Sequence, residues 1–427
     1  STIDAMFVDR RFFFDYNLLY RKGLFLHNII LNTDHERLVD KTGMIVYTVF
    51  SDRVAETCEA ATGGVPAGTP FFIYGGTQYA EAFLTFDAQI SYLENDKNLV
   101  IQDHDMKDDA EKIGYFSLIG GYKAPFKNTT TRKYKDGTRF EDIVALYFFD
   151  ENLRELFLKY ILKIERHIRA LLSYHFCEKH GEQQCEYLNS ANYALSSRNA
   201  GSINRLVSTL GNLANHNSDY PYINHQRQMY GNVPLWVLFN GVTFGSLSKF
   251  YSFTTQDIQT KVAKNFDKVN RKQLEQYLSV ITKFRNVCAH GERLFSYQTR
   301  NDIPDTDLHV KLGIPKNGTQ YALGKRDLFA VVIAFRYLLS NEDFKQFKAC
   351  LTNVIQNYLR SPGAMGEASL YQHMGFPSNW SKITAYKSDK KPAALKLQAF
   401  AWLEGSIYES ILKGMGIGII FEKENIN

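Results

Sequence analysis

The chain has 427 residues, of which 44% are hydrophobic, so it can bury a sizeable core and is too apolar to be disordered throughout. Its formal net charge of +5 permits binding of a polyanion without demanding it, because positive charge acts through clustering. Five scattered cysteines are typical of a reduced, cytoplasmic protein, and no stretch of about 20 uncharged apolar residues predicts a membrane span.

The first 77 residues are predicted to form an N-terminal extension of irregular or partly β structure. Segments 44–50 and 71–74 are rich in β-branched and aromatic residues, and glycine pairs bracket the second of them. Such segments favour short strands. Helical periodicity begins near Ala80, so we expect a helical domain over residues 78–385.

The longest predicted helix runs from Asp142 to about Phe176. Its apolar residues recur at spacings of three, four or seven and indicate one buried stripe: Ile143, Leu146, Leu153, Phe157, Ile161, Ile164, Ile168 and Leu171. A turn-rich basic stretch, residues 120–140, precedes this helix. It is either a solvated loop or a contact to a phosphate backbone, and its candidate RNA-binding residues are Lys123, Lys127, Arg132 and Lys133.

Three further helices are predicted towards the C-terminus. One runs from about Arg271 to His290 and stops at Gly291, a residue typical of helix ends. The next helix carries the apolar stripe Leu328, Val332, Phe335 and Leu339. The last helix follows a Ser340 N-cap and carries the stripe Phe344, Phe347, Leu351, Val354 and Tyr358. Residues 386–427 are predicted to be a helical C-terminal extension. The predicted fold class is therefore mainly α, a helical bundle with additional helices.

The end of the helix near residue 290 combines polar side chains with an apolar stripe. Arg285 comes four residues after Ile281 and so falls within the stripe, where an arginine must be paired or face a cleft. Asn286 and His290 are four residues apart and share a neighbouring face. The three polar side chains are thus the first candidates for a functional site.

These residue types suit RNA cleavage by internal attack. The ribose 2′-OH needs a base, and histidine is the side chain best suited to that role near pH 7. A guanidinium such as Arg285 can hold the extra charge of a pentavalent phosphate through two hydrogen bonds, while Asn286 orients the histidine or contacts the phosphate. No metal or other cofactor is required, because the nucleophile belongs to the substrate.

Cleavage also needs an acid for the leaving 5′-oxygen, yet the motif offers one histidine. Two copies would supply two arginines and two histidines, so we expect a homodimer or higher homo-oligomer with a composite site at a two-fold interface. The spacing of Arg285 and His290 also occurs by chance. In that case the arginine would form a buried pair with a carboxylate and the histidine would lie on the surface.

The surrounding sequence resembles the Abi-like (abortive infection) family of the AbiD/AbiF type. Residues 284–295, FRNVCAHGERLF, are similar to its RN-x-x-AH-x-x-RL signature. Other blocks follow in the family's order: 84–90 and 113–118 resemble LTFxEQI and IGYYRL, 147–174 resembles the FDxxLR … IERxLR helix, 234–248 resembles PLW … TFGxLS, and 374–380 resembles MGFPxxW. The likeness spans about residues 80–385.

This resemblance implies a HEPN fold, a helical nuclease class defined by Arg-x(4–6)-His. By position, Arg285 and His290 match that signature and Asn286 is its polar companion. HEPN nucleases often place an acidic residue on a facing helix, which makes Glu165 a fourth catalytic candidate that would reach Arg285 or His290. Alternatively, Glu165 forms a pair with Arg169, four residues later.

The implied function is that of a metal-independent endoribonuclease that leaves 2′,3′-cyclic phosphate and 5′-OH ends and acts as an abortive-infection or toxin effector against phage. RNA would be the substrate, and an antitoxin protein or a structured non-coding RNA would be the restraining partner. The alternative is a non-catalytic HEPN module that binds a structured or guide RNA or a protein. Further candidates for RNA contacts are Arg166, Arg169 and Arg293.

Three weaker patterns also have ordinary structural explanations. Arg169 and His175 obey the loose Arg-x(5)-His pattern but lack an asparagine beside the arginine. The cysteines and histidine at 177, 180 and 185 lack the second pair that a tetrahedral zinc site needs, so no metal site is predicted. The tyrosine-rich stretches 187–193 and 220–230 either stack on unpaired bases or pack in the core and its loops.

Overall fold

The computed structural model of the chain describes residues 30–32, 37–39, 45–46, 83–102 and 105–385. Contacts within the chain divide it into two units, with the boundary between Thr85 and Phe86. The predicted division into residues 1–77, 78–385 and 386–427 stays a prediction.

Three short strands precede the helical unit in sequence: β1 (Ile30–Asn32), β2 (Arg37–Val39) and β3 (Ile45–Val46). They form an antiparallel sheet in the order β1-β2-β3, in which Ile30 pairs with Val39 and Val39 with Ile45. Strand β3 lies within the predicted segment 44–50. The strand predicted at 71–74 and the helical extension predicted for 386–427 lie outside the described residues.

The second unit is mainly helical, which confirms the predicted fold class. Its α-helices are α1 (Phe86–Ser91), α2 (Asp105–Ile113), α3 (Phe140–His180), α4 (Gln184–Leu188), α5 (Ala200–Asn215), α6 (Pro221–Tyr230), α7 (Leu235–Leu238), α8 (Phe244–Phe253), α9 (Gln256–Ala263), α10 (Arg271–Ala289), α11 (Asp307–Lys311), α12 (Leu328–Leu338), α13 (Asn341–Leu359) and α14 (Glu367–Met374). Short 3₁₀ turns include Ala124–Phe126 and Phe239–Gly241, and β4 (Lys316–Asn317) pairs with β5 (Gln320–Tyr321).

The long helix α3 is the central element, with α9, α10 and α13 packed against it. Every residue of its predicted apolar stripe is buried. The helix starts slightly earlier than predicted because the backbone N–H of Arg139 donates to the Asp142 carboxylate at 2.9 Å and caps its first turn. It ends at Gly181, whose φ of +96° strains any residue with a side chain.

The prediction for α12 was too narrow. All eight residues from Leu328 to Phe335 are buried, not only the predicted stripe, and Leu339 follows the helix as its C-cap. A helix that is apolar on every side lies inside a core. The N-cap of the following helix is confirmed, because the Ser340 hydroxyl accepts from the backbone N–H of Asp343 at 3.0 Å.

The basic stretch 120–140 is anchored at several points. Phe126 and Tyr134 are buried, and isolated bridges join Lys127 to Tyr134 and Val100 to Arg139. The exposed cationic turn of this stretch therefore lies between two buried aromatic residues, Phe126 and Tyr134.

Candidate functional site

The end of helix α10 fixes the backbone beneath the predicted motif. His290 is the C-cap, and Gly291 follows with a φ of +66°. The backbone N–H of Glu292 donates to the Val287 carbonyl at 3.0 Å, and that of Gly291 donates to the Cys288 carbonyl at 3.4 Å. This pair of bonds is a Schellman motif, which ends the helix with His290 as its C-cap and Gly291 as the first residue beyond it.

The three polar side chains of the motif differ in exposure. Asn286 and His290 are exposed, and the backbone N–H of His290 donates to the Asn286 carbonyl at 3.0 Å. Arg285 is half-buried, with 31% of its side chain exposed. The guanidinium therefore lies at the boundary between the core and solvent, while the imidazole and the amide face outward.

Arg285 meets a carboxylate of the central helix. Its Nε lies 4.0 Å from Oε2 of Glu165, whose side chain is only 6% exposed. The predicted contact across the helix interface is present. Neither of these two atoms has a hydrogen-bond partner among the described residues. The pair is thus held by charge at a distance longer than a hydrogen bond.

Glu165 also pairs along its own helix. Nη2 of Arg169 donates to Oε1 of Glu165 at 2.7 Å and approaches the Val242 carbonyl at 3.5 Å. Burial raises the pKa of Glu165, while Arg169 and Arg285 oppose that rise. Both predicted partners of Glu165 are therefore present at once, and these three side chains are named the Glu165 cluster.

A second polar cluster on α3 was missed by the sequence analysis. Asp150 is 0% exposed; one of its oxygens, Oδ2, accepts from the Tyr122 hydroxyl at 2.7 Å and from Arg154 Nη1 at 3.0 Å. Oδ2 also accepts from the backbone N–H of Leu294 at 2.8 Å, and Oδ1 accepts from that of Phe295 at 2.6 Å. Asp150, Arg154 and Tyr122 are named the Asp150 cluster. Its signal in the sequence was an acid four residues after Leu146, inside the apolar stripe, where a charge must be paired.

The Asp150 cluster holds the chain that follows the motif. Because two successive backbone N–H groups donate to one buried carboxylate, residues 294–295 are fixed to α3. Just before them, Arg293 donates to the Gly121 carbonyl at 2.6 Å. The segment leaving His290 is therefore tied both to the central helix and to the start of the basic stretch.

A comparison with known protein families bears on the same part of the chain. The sequence model of the family described as Abi-like protein matches residues 110–296. These residues are an Abi-like region. No curated protein and no solved structure gives a significant match to the chain. The Abi-like match links the chain to abortive infection.

The Abi-like region contains both clusters. Its range includes Asp150 and Glu165 on α3, the motif at the end of α10 and the backbone of Leu294 and Phe295. The blocks FDxxLR and IERxLR, which carried the resemblance, contribute Asp150 with Arg154 and Glu165 with Arg169. The structure thus shows what these blocks do: each supplies one acid and one arginine to a cluster.

The predicted RNA-binding residues of the Abi-like region do not form one surface in the contacts observed. Lys123 and Lys127 lie close enough to interact, and the pKa of Lys127 is lowered by burial, by Lys123 and by Lys97. Arg132 and Lys133 are exposed at the tip of the basic stretch. Arg293 contacts the start of that stretch through Gly121. The stretch that carries Lys123, Lys127, Arg132 and Lys133 is named the basic edge.

The two arginines predicted on α3 separate. Arg169 joins the Glu165 cluster. Arg166 is exposed and acts electrostatically on Asp343 of α13, so it is not brought to Arg285 by any contact described. In the loose Arg-x(5)-His pattern of Arg169 and His175, the histidine Nδ1 lies 3.1 Å from Glu178 and the arginine contacts Glu165.

Two findings concern metals and membranes. Among the residues that the structure describes, no group of three or more His, Cys, Asp or Glu side chains is arranged to hold a metal ion. Within the same residues, no helix is both long enough and apolar enough to span a membrane.

Proposed function

We propose that the chain is a metal-independent, HEPN-type endoribonuclease that acts as a cytoplasmic abortive-infection or toxin effector in anti-phage defence. One observation carries this proposal. The buried Glu165 lies 4.0 Å from Nε of Arg285, while 31% of the arginine side chain stays exposed beside an exposed helix end that bears Asn286 and His290. A guanidinium that a buried carboxylate orients on one side and that is open to solvent on the other is suited to bind a phosphate.

The chemistry proceeds by internal attack. His290 takes the proton from the ribose 2′-OH, and the 2′-oxygen forms a bond to the adjacent phosphorus. Arg285 stabilises the negative charge that accumulates on the non-bridging oxygens. The bond from phosphorus to the 5′-oxygen breaks, and that oxygen takes up a proton. The products are a 2′,3′-cyclic phosphate and a 5′-OH end.

The second proton transfer needs a second acid. Each chain brings one histidine to this helix end, so we propose that His290 of the partner subunit protonates the 5′-oxygen in a homodimer or higher homo-oligomer. A monomer, shown as such by light scattering, that cuts RNA at the full rate contradicts the composite site.

The site is exposed, and a nuclease with an exposed site needs restraint. We propose that an antitoxin protein or a structured non-coding RNA covers the helix end around His290 until infection. The basic edge supports the RNA form of this partner, because Lys123, Lys127, Arg132 and Lys133 lie in a stretch of 11 residues able to contact a phosphate backbone.

An alternative function is a non-catalytic HEPN module that binds a structured or guide RNA or a protein. The observation that favours it is that Arg285 already has a counterion, the carboxylate of Glu165. Arg285 already has Glu165 nearby and His290 lies on the surface, which is also the arrangement of a structural ion pair with an unrelated histidine. Under this alternative the same residues bind RNA without cutting it.

The two functions separate in one experiment. Purified wild type, Arg285→Ala and His290→Ala are incubated with end-labelled RNA in EDTA, and the product ends are tested for a cyclic phosphate. We expect each variant to lose at least about 100-fold in cleavage rate. Lys283→Ala, an exposed change on the same helix, is the matched control and keeps the wild-type rate.

Three outcomes contradict the nuclease. They are cutting by both variants at the wild-type rate, loss of all cutting in EDTA, and RNA binding by every variant with no cutting by the wild type. The last of these supports the binding module. Thermal unfolding of each variant shows that a loss of cleavage is not a loss of fold.

A further inference from the structure

A cavity lies beside the Glu165 cluster, between the end of α5, the start of α6 and the start of α8. Its volume is about 370 Å³, within the range of sites that take small organic groups. Its lining combines apolar surface, which makes up more than half of the exposed wall, with hydrogen-bonding side chains, among them Asn212, Asn217, Ser218, Asp219, Tyr220 and Thr243. This mixture of amides, hydroxyls, a carboxylate and one aromatic ring suits a flat polar group.

The cavity is joined to the candidate site by polar contacts. Val242 lines the cavity, and its carbonyl oxygen lies 3.5 Å from Nη2 of Arg169. The same Nη2 donates to Glu165 at 2.7 Å, and the other oxygen of Glu165 faces Arg285 at 4.0 Å. Three successive polar contacts thus connect the wall of the cavity to Arg285.

The aromatic wall of the cavity is both supported and accessible. Tyr220 is 40% exposed, and its ring centroid lies 5.6 Å from that of Tyr222, which is 39% exposed. A Cβ atom at Gly241 would come within 3.0 Å of two carbons of the Tyr220 ring, so the ring lies directly on a residue without a side chain. This contact holds the ring in place from one side and leaves part of it open for stacking.

The charge of the cavity selects its ligand. Asp219 is exposed and places a carboxylate in the lining, which repels a phosphate and attracts N–H donors. A base edge with an amino group offers such donors, and carboxylates accept from the cytosine amino group in known base recognition. Asn212 adds an amide that both donates and accepts. The lining thus offers acceptors to the N–H groups of a nucleobase, while Asp219 disfavours a phosphate at this wall.

We propose that this cavity binds one unpaired nucleobase of the RNA, stacked on Tyr220 with its hydrogen-bonding edge towards Asp219 and Asn212. This subsite rests on the proposed function, since the base belongs to the RNA whose phosphate Arg285 is proposed to bind. It selects where an RNA is held and contributes sequence preference, while the proton transfers stay with His290. Of the two tyrosine-rich stretches, 220–230 is the one that contributes a ring to it.

The test uses the full chain carrying His290→Ala, so that RNA stays intact, in EDTA. Short single-stranded RNAs with 2-aminopurine report stacking by loss of fluorescence. In that background Tyr220→Leu, at the N-cap of α6, is compared with Tyr230→Leu, the same change at the last residue of α6, a 66% exposed tyrosine that does not line the cavity. We expect Tyr220→Leu to weaken binding about tenfold and to abolish most of the quenching, with no effect from Tyr230→Leu.

A second variant tests the edge of the base. Asp219→Asn should reduce the preference for cytosine over uracil by about tenfold, while Asp307→Asn, a change at an exposed aspartate at the start of α11, leaves it unchanged. Equal binding and equal quenching by Tyr220→Leu and Tyr230→Leu overturn the proposal, even where the wild type cleaves RNA through Arg285 and His290. Binding that depends on Tyr220 supports the subsite even where the wild type cuts nothing, and then only the nuclease fails.

Discussion

The Asp150 and Glu165 clusters lie on one helix, and each pairs an acid with the arginine four residues later, yet their surroundings differ. Asp150 is 0% exposed and accepts four hydrogen bonds of 2.6–3.0 Å. Glu165 accepts one, and its other oxygen has no hydrogen-bond partner among the described residues. Both carboxylate oxygens of Asp150 accept hydrogen bonds, whereas only one oxygen of Glu165 does.

This difference indicates different roles. A buried carboxylate with all its acceptors used stabilises the fold and has nothing left to offer a ligand. A buried carboxylate that faces Arg285 across a longer gap keeps that arginine oriented while its outer side stays open to solvent. The Asp150 cluster is thus expected to govern stability, and the Glu165 cluster to govern activity. Three changes test that division.

The largest expected effect is on stability, from Asp150→Ala. It leaves two backbone N–H groups and the Tyr122 hydroxyl buried without their acceptor. It also removes the buried counter-charge of Arg154, whose Nη1 keeps, among the described residues, only the Tyr122 hydroxyl oxygen, at 2.9 Å, as an acceptor. We therefore expect a loss of about 3–5 kcal/mol in the free energy of unfolding. Urea denaturation measures it. Glu155→Ala, an exposed acid on the same helix, should stay within about 0.5 kcal/mol of the wild type. Equal values for the two variants contradict a structural role for Asp150.

The next effect is expected from Glu165→Gln, and it divides unequally between activity and stability. The amide still accepts from Arg169 but no longer orients Arg285 by charge, so cleavage should fall about 10- to 100-fold. The free energy of unfolding at pH 7 should change by only about 1 kcal/mol. Single-turnover cleavage and urea denaturation measure the two. A large loss of stability with unchanged cleavage reverses the assignment.

The same variant has a signature in pH. Burial raises the pKa of Glu165 above its ordinary value of 4.5. A raised pKa in the folded state gives a stabilising contribution that is complete below the unfolded value and is lost as pH rises through the folded value. The stability of the wild type relative to Glu165→Gln should therefore decrease from about pH 4.5 upward. Parallel pH profiles would show that the acid is not perturbed by its burial.

The smallest effect is expected from Arg293→Ala. Arg293 is exposed and gives up a single hydrogen bond, to the Gly121 carbonyl, so the free energy of unfolding should drop by at most about 1 kcal/mol. Arg300→Ala, an exposed arginine later in the chain, provides the comparison in the same denaturation series. A drop as large as that of Asp150→Ala would show that Arg293, and not the buried Asp150, is the main anchor of the segment after His290.

The long helices were predictable because periodicity reports burial directly. The α3 stripe and the end of α10 at Gly291 follow from spacing and from the left-handed conformation that glycine favours. Periodicity failed for α12, where residues 328–335 are buried on every side. The apolar stripe of a helix identifies the one face that is expected to be buried. It does not show which other parts of the chain pack against the remaining faces.

The candidate site divides in the same way. The sequence identified Arg285, Asn286 and His290, and named Glu165 as a partner for either Arg169 or Arg285. It did not identify Asp150, although an acid inside an apolar stripe is a signal of the same kind as an arginine inside one. The catalytic and RNA-binding roles assigned to these residues stay predictions.

From the sequence alone came a mainly helical fold, the end of the motif helix and the likeness to Abi-like proteins, since helix periodicity, end signals and motif blocks are local properties. Only the tertiary structure decided which acid meets which cation. Asp150 reaches the backbone of Leu294 and Phe295, and Glu165 reaches Arg285, through packing of helices far apart in sequence. Pairings of that kind depend on how two helices are set against each other, which no local pattern records.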